Sequence, residues 1–250
     1  MGKQLLKLTG MIYDSFSTHT KKLALLIDPD KHSTESVTLV SRLAEALKID
    51  YIFVGGSILM ANIEHTIQFI KGYYSGPVLL FPGNSCQVTH NADGILFLSL
   101  ISGRNAEFLI GNHVISAPHI KQIGLEVIPT GYILIDCGRT TSVEYMSNTR
   151  PIPSEKPDIV MATAMAGEML GLKCLYLEGG SGANSIIPTT IIKGVKTTTH
   201  IPIIVGGGIR TKEDLTQIYE AGADIAVVGT AIEKDQSLLQ IFAEIRNSFA

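Results

Sequence analysis

Eight short apolar runs recur along the chain, at residues 23–28, 51–55, 78–81, 95–99, 131–136, 174–178, 203–206 and 226–229. Most are continuous in apolar character instead of alternating with polar residues. That is the pattern of strands covered on both faces, as in a parallel sheet. Stretches with apolar residues at helical spacing separate most of them: 36–47, 105–110, 159–171, 212–221 and 236–249. Eight strands taking turns with helices predict a closed (β/α)8 TIM barrel. The 250 residues match the size of one such barrel and no linker divides them, so residues 1–250 read as a single domain.

Two places strain this pattern. Residues 83–93 separate the third and fourth strands and include Gly83, Asn84, Asn91 and Asp93, all poor helix formers. The helix after the third strand is therefore expected to be shortened or replaced by a loop. Residues 137–157 show the opposite excess, with Pro151, Pro153 and Pro157 among many Ser and Thr, and read as a long loop. In a barrel such a loop lies at the catalytic face and can serve as a lid. A half-barrel duplication is not supported. Val54-Gly55-Gly56-Ser57 echoes Val205-Gly206-Gly207-Gly208, but these follow the second and seventh strands, five apart where a duplication needs four.

Glycine breaks end three of the late apolar runs: Glu178-Gly179-Gly180-Ser181-Gly182, Gly206-Gly207-Gly208 and Gly229-Thr230. Glycine lets the backbone come close to a ligand and turn its amides toward an anion. Such breaks after successive late strands form the phosphate grip of many barrels, completed by a helix N-terminus. A phosphorylated small molecule is the expected ligand.

Composition narrows the class without changing the fold. An apolar share of 45% with 24 glycines describes a globular enzyme-like domain. A net charge of −3, with no Lys/Arg-rich stripe, argues against nucleic acid as a partner. The apolar runs fall far short of the ~18 residues of a membrane span. The start, Met1-Gly2-Lys3-Gln4-Leu5-Leu6, shows no signal-peptide core, and Leu6 stands where myristoylation of Gly2 would want Ser or Thr, so a cytoplasmic location is expected. Cys86, Cys137 and Cys174 have neither disulfide nor zinc spacing, and the last two read as small core residues.

Strand ends carry the candidate chemistry. Asp28 closes the first run in Leu26-Ile27-Asp28-Pro29-Asp30-Lys31 and would face the catalytic mouth, where its hard oxygen suits Mg²⁺ together with substrate phosphates. Asp28 and Asp30 could equally be turn formers around Pro29. Ser57 could join a metal shell, touch a phosphate, or cap a helix beginning at Ile58. Glu178 ends the sixth run with no basic neighbour in sequence. Desolvated beside a phosphate it would have a raised pKa and could act as a general base; the alternative is an ion pair with a neighbouring strand. Tyr176 lies on the same side of that strand and could contact substrate or fill a barrel layer. Asp136 is open between a site role and salt-bridge or turn duty. The histidines, His19, His32, His65, His90, His113, His119 and His200, show no ligand spacing and read as surface or helix-end residues.

Taken together, Leu26 to Lys31, Tyr176-Leu177-Glu178-Gly179-Gly180-Ser181-Gly182-Ala183, Val205-Gly206-Gly207-Gly208-Ile209-Arg210 and Val228-Gly229-Thr230-Ala231 resemble the geranylgeranylglyceryl phosphate synthase family and the related heptaprenylglyceryl phosphate synthases. The Tyr-Leu-Glu element makes the resemblance specific; the last two motifs occur in many phosphate-binding barrels. The resemblance implies an Mg²⁺-dependent prenyltransferase that joins sn-glycerol 1-phosphate to a polyprenyl diphosphate and makes an ether-lipid precursor. It implies Asp28 and Ser57 as the metal positions and Glu178 as the base. It further implies Tyr176, Leu177, Glu178, Gly179, Gly180, Ser181, Gly182, Gly207, Gly208, Gly229 and Thr230 as the glycerol phosphate segment and phosphate cradle. Leu26 stands where the heptaprenyl branch carries Lys, which points to the geranylgeranyl branch. No Asp-rich element of chain-elongating enzymes is present. The prenyl groove is expected to open at residues 83–93. A homo-oligomer and at most transient contact with a membrane surface are expected. The competing readings are a phosphosugar isomerase or epimerase using Glu178 on a carbon acid, and a barrel that binds a phosphometabolite without turnover.

Overall fold

The structure, a computed structural model, describes residues 11–16 and 20–249. Residues 1–10, with no signal-peptide core expected among them, and His19 lie outside the described residues. In chain order the elements are α1 (Met11–Phe16), β1 (Lys22–Ile27), α2 (Thr34–Ala46), β2 (Tyr51–Val54), α3 (Ile63–Lys71), β3 (Val78–Leu80), β4 (Gly94–Leu100), α4 (Asn112–Ile123), β5 (Glu126–Leu134), α5 (Ser142–Ser147), α6 (Pro157–Met169), β6 (Cys174–Glu178), α7 (Thr189–Thr198), β7 (Ile203–Gly206), α8 (Lys212–Glu220), β8 (Ile225–Val228), α9 (Thr230–Lys234) and α10 (Leu238–Ser248). Every strand pairs in parallel with its sequence neighbour, and β8 closes on β1. This is the expected eight-stranded barrel.

The apolar runs are continuous because each strand is buried twice. Along β1 and β6, Ala24, Cys174 and Tyr176 point into the barrel, while Leu23, Leu25, Ile27, Leu175 and Leu177 face the helix layer. The period of two then carries Asp28 and Glu178 onto the inner face at the C-terminal mouth. The opposite mouth is plugged. Ile12 and Tyr13 of α1 donate their amides to the Glu126 carboxylate at 3.1 and 2.8 Å, at the start of β5. Phe16 is 1% exposed and meets the Tyr51 ring edge-on at 5.1 Å. Burying that one ring stabilises the closure by roughly 1.5–3 kcal/mol.

After β3 there is no α-helix, only a 3₁₀ turn over Ser85–Gln87, as the helix-poor composition of residues 83–93 predicts. The stretch 137–157 differs from a plain loop. It holds α5, capped by Thr141 whose hydroxyl accepts the Glu144 amide at 3.2 Å, and a parallel bridge from Ile135 to Ile152. The expected helix at 105–110 is a π-helical turn, Glu107–Gly111, leading into α4. Strand β5 starts earlier than residue 131, upstream of Pro129. The Pro129 carbonyl accepts from Lys173 at 2.8 Å, so its missing N–H faces β6 below the point where β6 begins, and no ladder bond is lost. No helix among the described residues is long and apolar enough to cross a membrane.

Candidate active site

A cleft of about 1310 Å³ opens at the C-terminal mouth. Its polar end is made by strand ends: Asp28 after β1, Gly56 and Ser57 after β2, Glu178 on β6, Gly207 and Gly208 after β7, Gly229 and Thr230 after β8. From there it continues over the apolar side chains of Val88, Ile95, Phe97, Phe108 and Val143. Phe108 and Val143 pack against the barrel-interior cluster, whereas Ile95, with Val88 and Phe97, belongs to the cluster between strands and helices, so the arm runs from the interior out toward the helix layer. It does so beside the 3₁₀ turn that replaces a helix. The missing helix thus leaves an apolar groove open beside residues 83–93.

Glu178 is 6% exposed. Its Oε1 accepts the Gly180 amide at 2.5 Å, and the neighbouring Tyr132 and Tyr176 hydroxyls lie where they favour the charged carboxylate. Burial pushes its pKa above the ordinary glutamate value, and those three donors oppose the shift without cancelling it. Burial and the nearby Glu178 charge hold both tyrosines far above their usual range, so they stay protonated donors. Among the described residues no cation pairs with Glu178. The ion-pair alternative is therefore not what the fold builds. The two tyrosine rings lie 5.3 Å apart and both meet Phe81, at 6.0 and 5.1 Å. An aromatic floor thus excludes water from beneath the carboxylate. Nothing in the sequence around Tyr132 marks it as a site residue, because β5 and β6 bring it to Glu178 only through the register Tyr132↔Tyr176.

The glycines form a compact cradle. Gly207 and Gly208 have φ of +88° and +77°, a region that L side chains rarely adopt. A Cβ on Gly207 would stand 2.7 Å from the Gly180 amide nitrogen and 3.0 Å from the Glu178 carboxylate, so the base and the cradle share one wall. The Ser181 and Thr230 hydroxyls are 3.2 Å apart, joining the β6 loop to the first residue of α9. Arg210 braces the β6 loop by donating to the Ala183 and Asn184 carbonyls. Not every residue of the Tyr-Leu-Glu segment faces the cleft. Leu177 points outward into the helix layer, because it is one residue out of phase with Tyr176 and Glu178. Gly179 gives its amide to the Gly206 carbonyl at 2.9 Å and does not line the cleft.

Asp28 lies across the mouth from Glu178. Its Oδ2 is 3.3 Å from the Lys31 ammonium, and its Oδ1 accepts the Asp30 amide at 3.2 Å. A Cβ on Gly56 would be 3.0 Å from Asp28 Oδ1, so the backbone next to Ser57 runs against this carboxylate. Ser57 lines the cleft and caps nothing: α3 begins at Ile63 and is capped by Asn62, which accepts the Glu64 amide at 2.9 Å. Asp30 is bound up in structure, accepting the Met60 and Ala61 amides at 2.9 and 2.7 Å. Asp136 forms a local turn with the Gly138 amide at 2.9 Å. His113 lines the apolar arm, edge-on to Phe97 at 4.4 Å, with a buried Nδ1 that finds no partner. It stands at the N-terminal end of α4, a helix-end position as expected, and faces the cleft instead of solvent. An α4 that runs beyond residue 110 puts it there. Burial lowers its pKa, keeping it a neutral ring in an apolar wall.

The chain matches the PcrB family over residues 17–246. It is 50% identical over 238 residues to a geranylgeranylglyceryl phosphate synthase of Chitinophaga pinensis, covering 93% of this chain and 94% of that one. A protein of the same name from Spirosoma linguale is 47% identical over 232 residues, covering 92% of each. The crystal structure of (S)-3-O-geranylgeranylglyceryl phosphate synthase from Thermoplasma acidophilum, in complex with its substrate sn-glycerol-1-phosphate, superposes with a TM-score of 0.89 at 28% identity and covers 96% of this chain and 99% of that one. With these matches spanning the barrel from end to end, the chain belongs to the PcrB family.

Proposed function

We propose that this protein transfers the geranylgeranyl group of geranylgeranyl diphosphate to the free terminal hydroxyl of sn-glycerol 1-phosphate, forming an ether and releasing diphosphate. One observation carries the reading: a buried carboxylate stands against a glycine cradle in a cleft that continues into an apolar groove outside the barrel wall. The relatives' names and the glycerol phosphate bound in the Thermoplasma acidophilum enzyme support the substrate pair.

The residues divide the work along the mouth. The amides around Gly207, Gly208 and Thr230 receive the acceptor's phosphate at the start of α9. That leaves the glycerol hydroxyl beside Glu178, one strand away. The hydroxyl oxygen bonds to the allylic carbon, the carbon–diphosphate bond breaks, and Glu178 takes the proton. Its raised pKa makes it a stronger acceptor than an exposed glutamate, while Tyr132 and Tyr176 hold the oxygen in place. The prenyl chain lies along Val88, Phe97 and Phe108.

A divalent ion fits at Asp28. Among the described residues no group of three or more His, Cys, Asp and Glu side chains could hold a metal. Mg²⁺ does not need one, because it commonly uses one or two carboxylates together with substrate phosphates. Asp28 supplies the carboxylate, Ser57 a hydroxyl, and the Lys31 ammonium at 3.3 Å marks the place as one that attracts a cation. When bound, Mg²⁺ would offset the charge of the departing diphosphate. The apolar groove suits a cytoplasmic enzyme that touches a membrane only to exchange lipid.

The test incubates the pure protein with labelled sn-glycerol 1-phosphate, geranylgeranyl diphosphate and Mg²⁺, with and without EDTA, and follows butanol-extractable label. Label that depends on the metal is expected. Bound acceptor without any extractable product would move the protein to an isomerase or a binding barrel.

A further inference from the structure

Lys31, Arg139, Arg210 and Lys234 line the cleft, and the two arginines are engaged with backbone carbonyls. Arg210 is held by the Ala183 and Asn184 carbonyls, and Arg139 reaches the Gly182 carbonyl at 3.4 Å. Lys31 is different in kind. It lies just beyond β1, in the 3₁₀ turn Pro29–Lys31, yet its ammonium contacts groups from three separate segments of the chain. It stands 3.3 Å from Asp28, 3.8 Å from Glu233 on α9, and 3.4 Å from the Ser181 hydroxyl. Ser181 is in turn 3.2 Å from the Thr230 hydroxyl at the mouth of the phosphate cradle. One flexible charge therefore lies between the carboxylate proposed for the metal and the hydroxyls proposed for the acceptor's phosphate.

We propose that Lys31 is a substrate-positioning cation that couples the two halves of the site: it neutralises Asp28 and Glu233 in the arrangement seen here, and turns through Ser181 to the phosphate of the acceptor when that substrate binds. The inference rests on the function proposed above. The side chain is suited to the exchange, since an ammonium on a four-carbon stem is a point charge that can swing between partners. It is 42% exposed, so the swing displaces water and not packed side chains. Leaving Asp28 also frees that carboxylate for a divalent ion, so acceptor phosphate and metal favour each other.

Two binding measurements on Lys31→Met, Lys31→Arg and the wild type test this without turnover. Calorimetry with sn-glycerol 1-phosphate in EDTA reads the acceptor site. Electron paramagnetic resonance of Mn²⁺ with inorganic diphosphate reads the carboxylate site. In Lys31→Met, acceptor affinity is expected to fall about ten- to hundredfold, the size of one charge-assisted hydrogen bond. Mn²⁺ affinity is expected to stay level or rise, because Asp28 has lost a competing cation. Lys31→Arg should recover most of the acceptor affinity. Acceptor binding unchanged in Lys31→Met would overturn the proposal, and so would equal weakening of both ligands, the mark of a damaged turn. A wild type that binds no glycerol phosphate would instead remove the functional reading, and this inference with it.

Discussion

Replacing Glu178 by Gln separates chemistry from binding and from stability in one variant. The change keeps the shape of the side chain and keeps an oxygen to accept the Gly180 amide, now 2.5 Å away. It removes the proton acceptor. General base catalysis of this kind is worth about 10²–10⁴-fold in rate, so kcat should fall by that factor. The phosphate contacts lie in the glycine cradle, so the acceptor's Kd should change less than about tenfold, the scale of one lost hydrogen bond. Stability should move the other way. The folded-state pKa of Glu178 is raised, so its contribution to stability is complete below the ordinary glutamate value and is lost as pH rises through the raised one. The Gln variant should therefore match the wild type in acid and melt at a higher temperature near neutrality. The wild-type rate should climb with pH through that same raised value, and the variant should lose the limb. Single-turnover kinetics, calorimetry and melting curves across pH 4–8 make the check. A kcat within tenfold of wild type, or loss of acceptor binding in step with loss of rate, would refute the role of Glu178 as base.

Three further outcomes follow from the same geometry. Gly208→Ala places a Cβ against the Ser185 carbonyl at a φ of +77°, so acceptor affinity by calorimetry should drop at least about tenfold. Val88→Trp fills the apolar arm; the ratio of kcat/KM for geranylgeranyl over farnesyl diphosphate should fall at least about tenfold, and an unchanged ratio would place the chain elsewhere. Arg246→Met removes a buried side chain whose guanidinium binds Asp50 and the Leu47 and Lys48 carbonyls, tying α10 to the loop before β2. Asp50 keeps Lys22 at 3.3 Å, so the loss in urea unfolding should sit near the low end of a broken buried pair, about 3 kcal/mol, with the rate per folded molecule unchanged.

What could be read from the sequence was what repeats or stands at a strand end. The eight strands announced themselves because both of their faces are apolar, and the period of two placed Asp28, Tyr176 and Glu178 before any contact was known. Short or irregular elements left no such trace. Helix α1 has six residues, too few for a helical period. Helix α4 contains Pro118 and exposes Val114 and Ile115 while burying Ser116, so its pattern runs against the usual one. The partners of Glu178 were hidden for a different reason. Tyr132 reaches it through the register of β5 on β6, and Phe81 meets the two tyrosines from the end of β3; nothing local in sequence marks either one. The same holds for Lys31, whose contacts with Ser181 and Glu233 are distant in sequence.

The central claim is that base and phosphate cradle act on one bound glycerol phosphate. A crystal structure of this protein with sn-glycerol 1-phosphate tests it most directly. The account predicts the phosphate against Gly208 and Thr230, with the free terminal hydroxyl within about 3.2 Å of Glu178. A phosphate held there with that hydroxyl turned away from Glu178, or a phosphate bound outside the cradle, would contradict it.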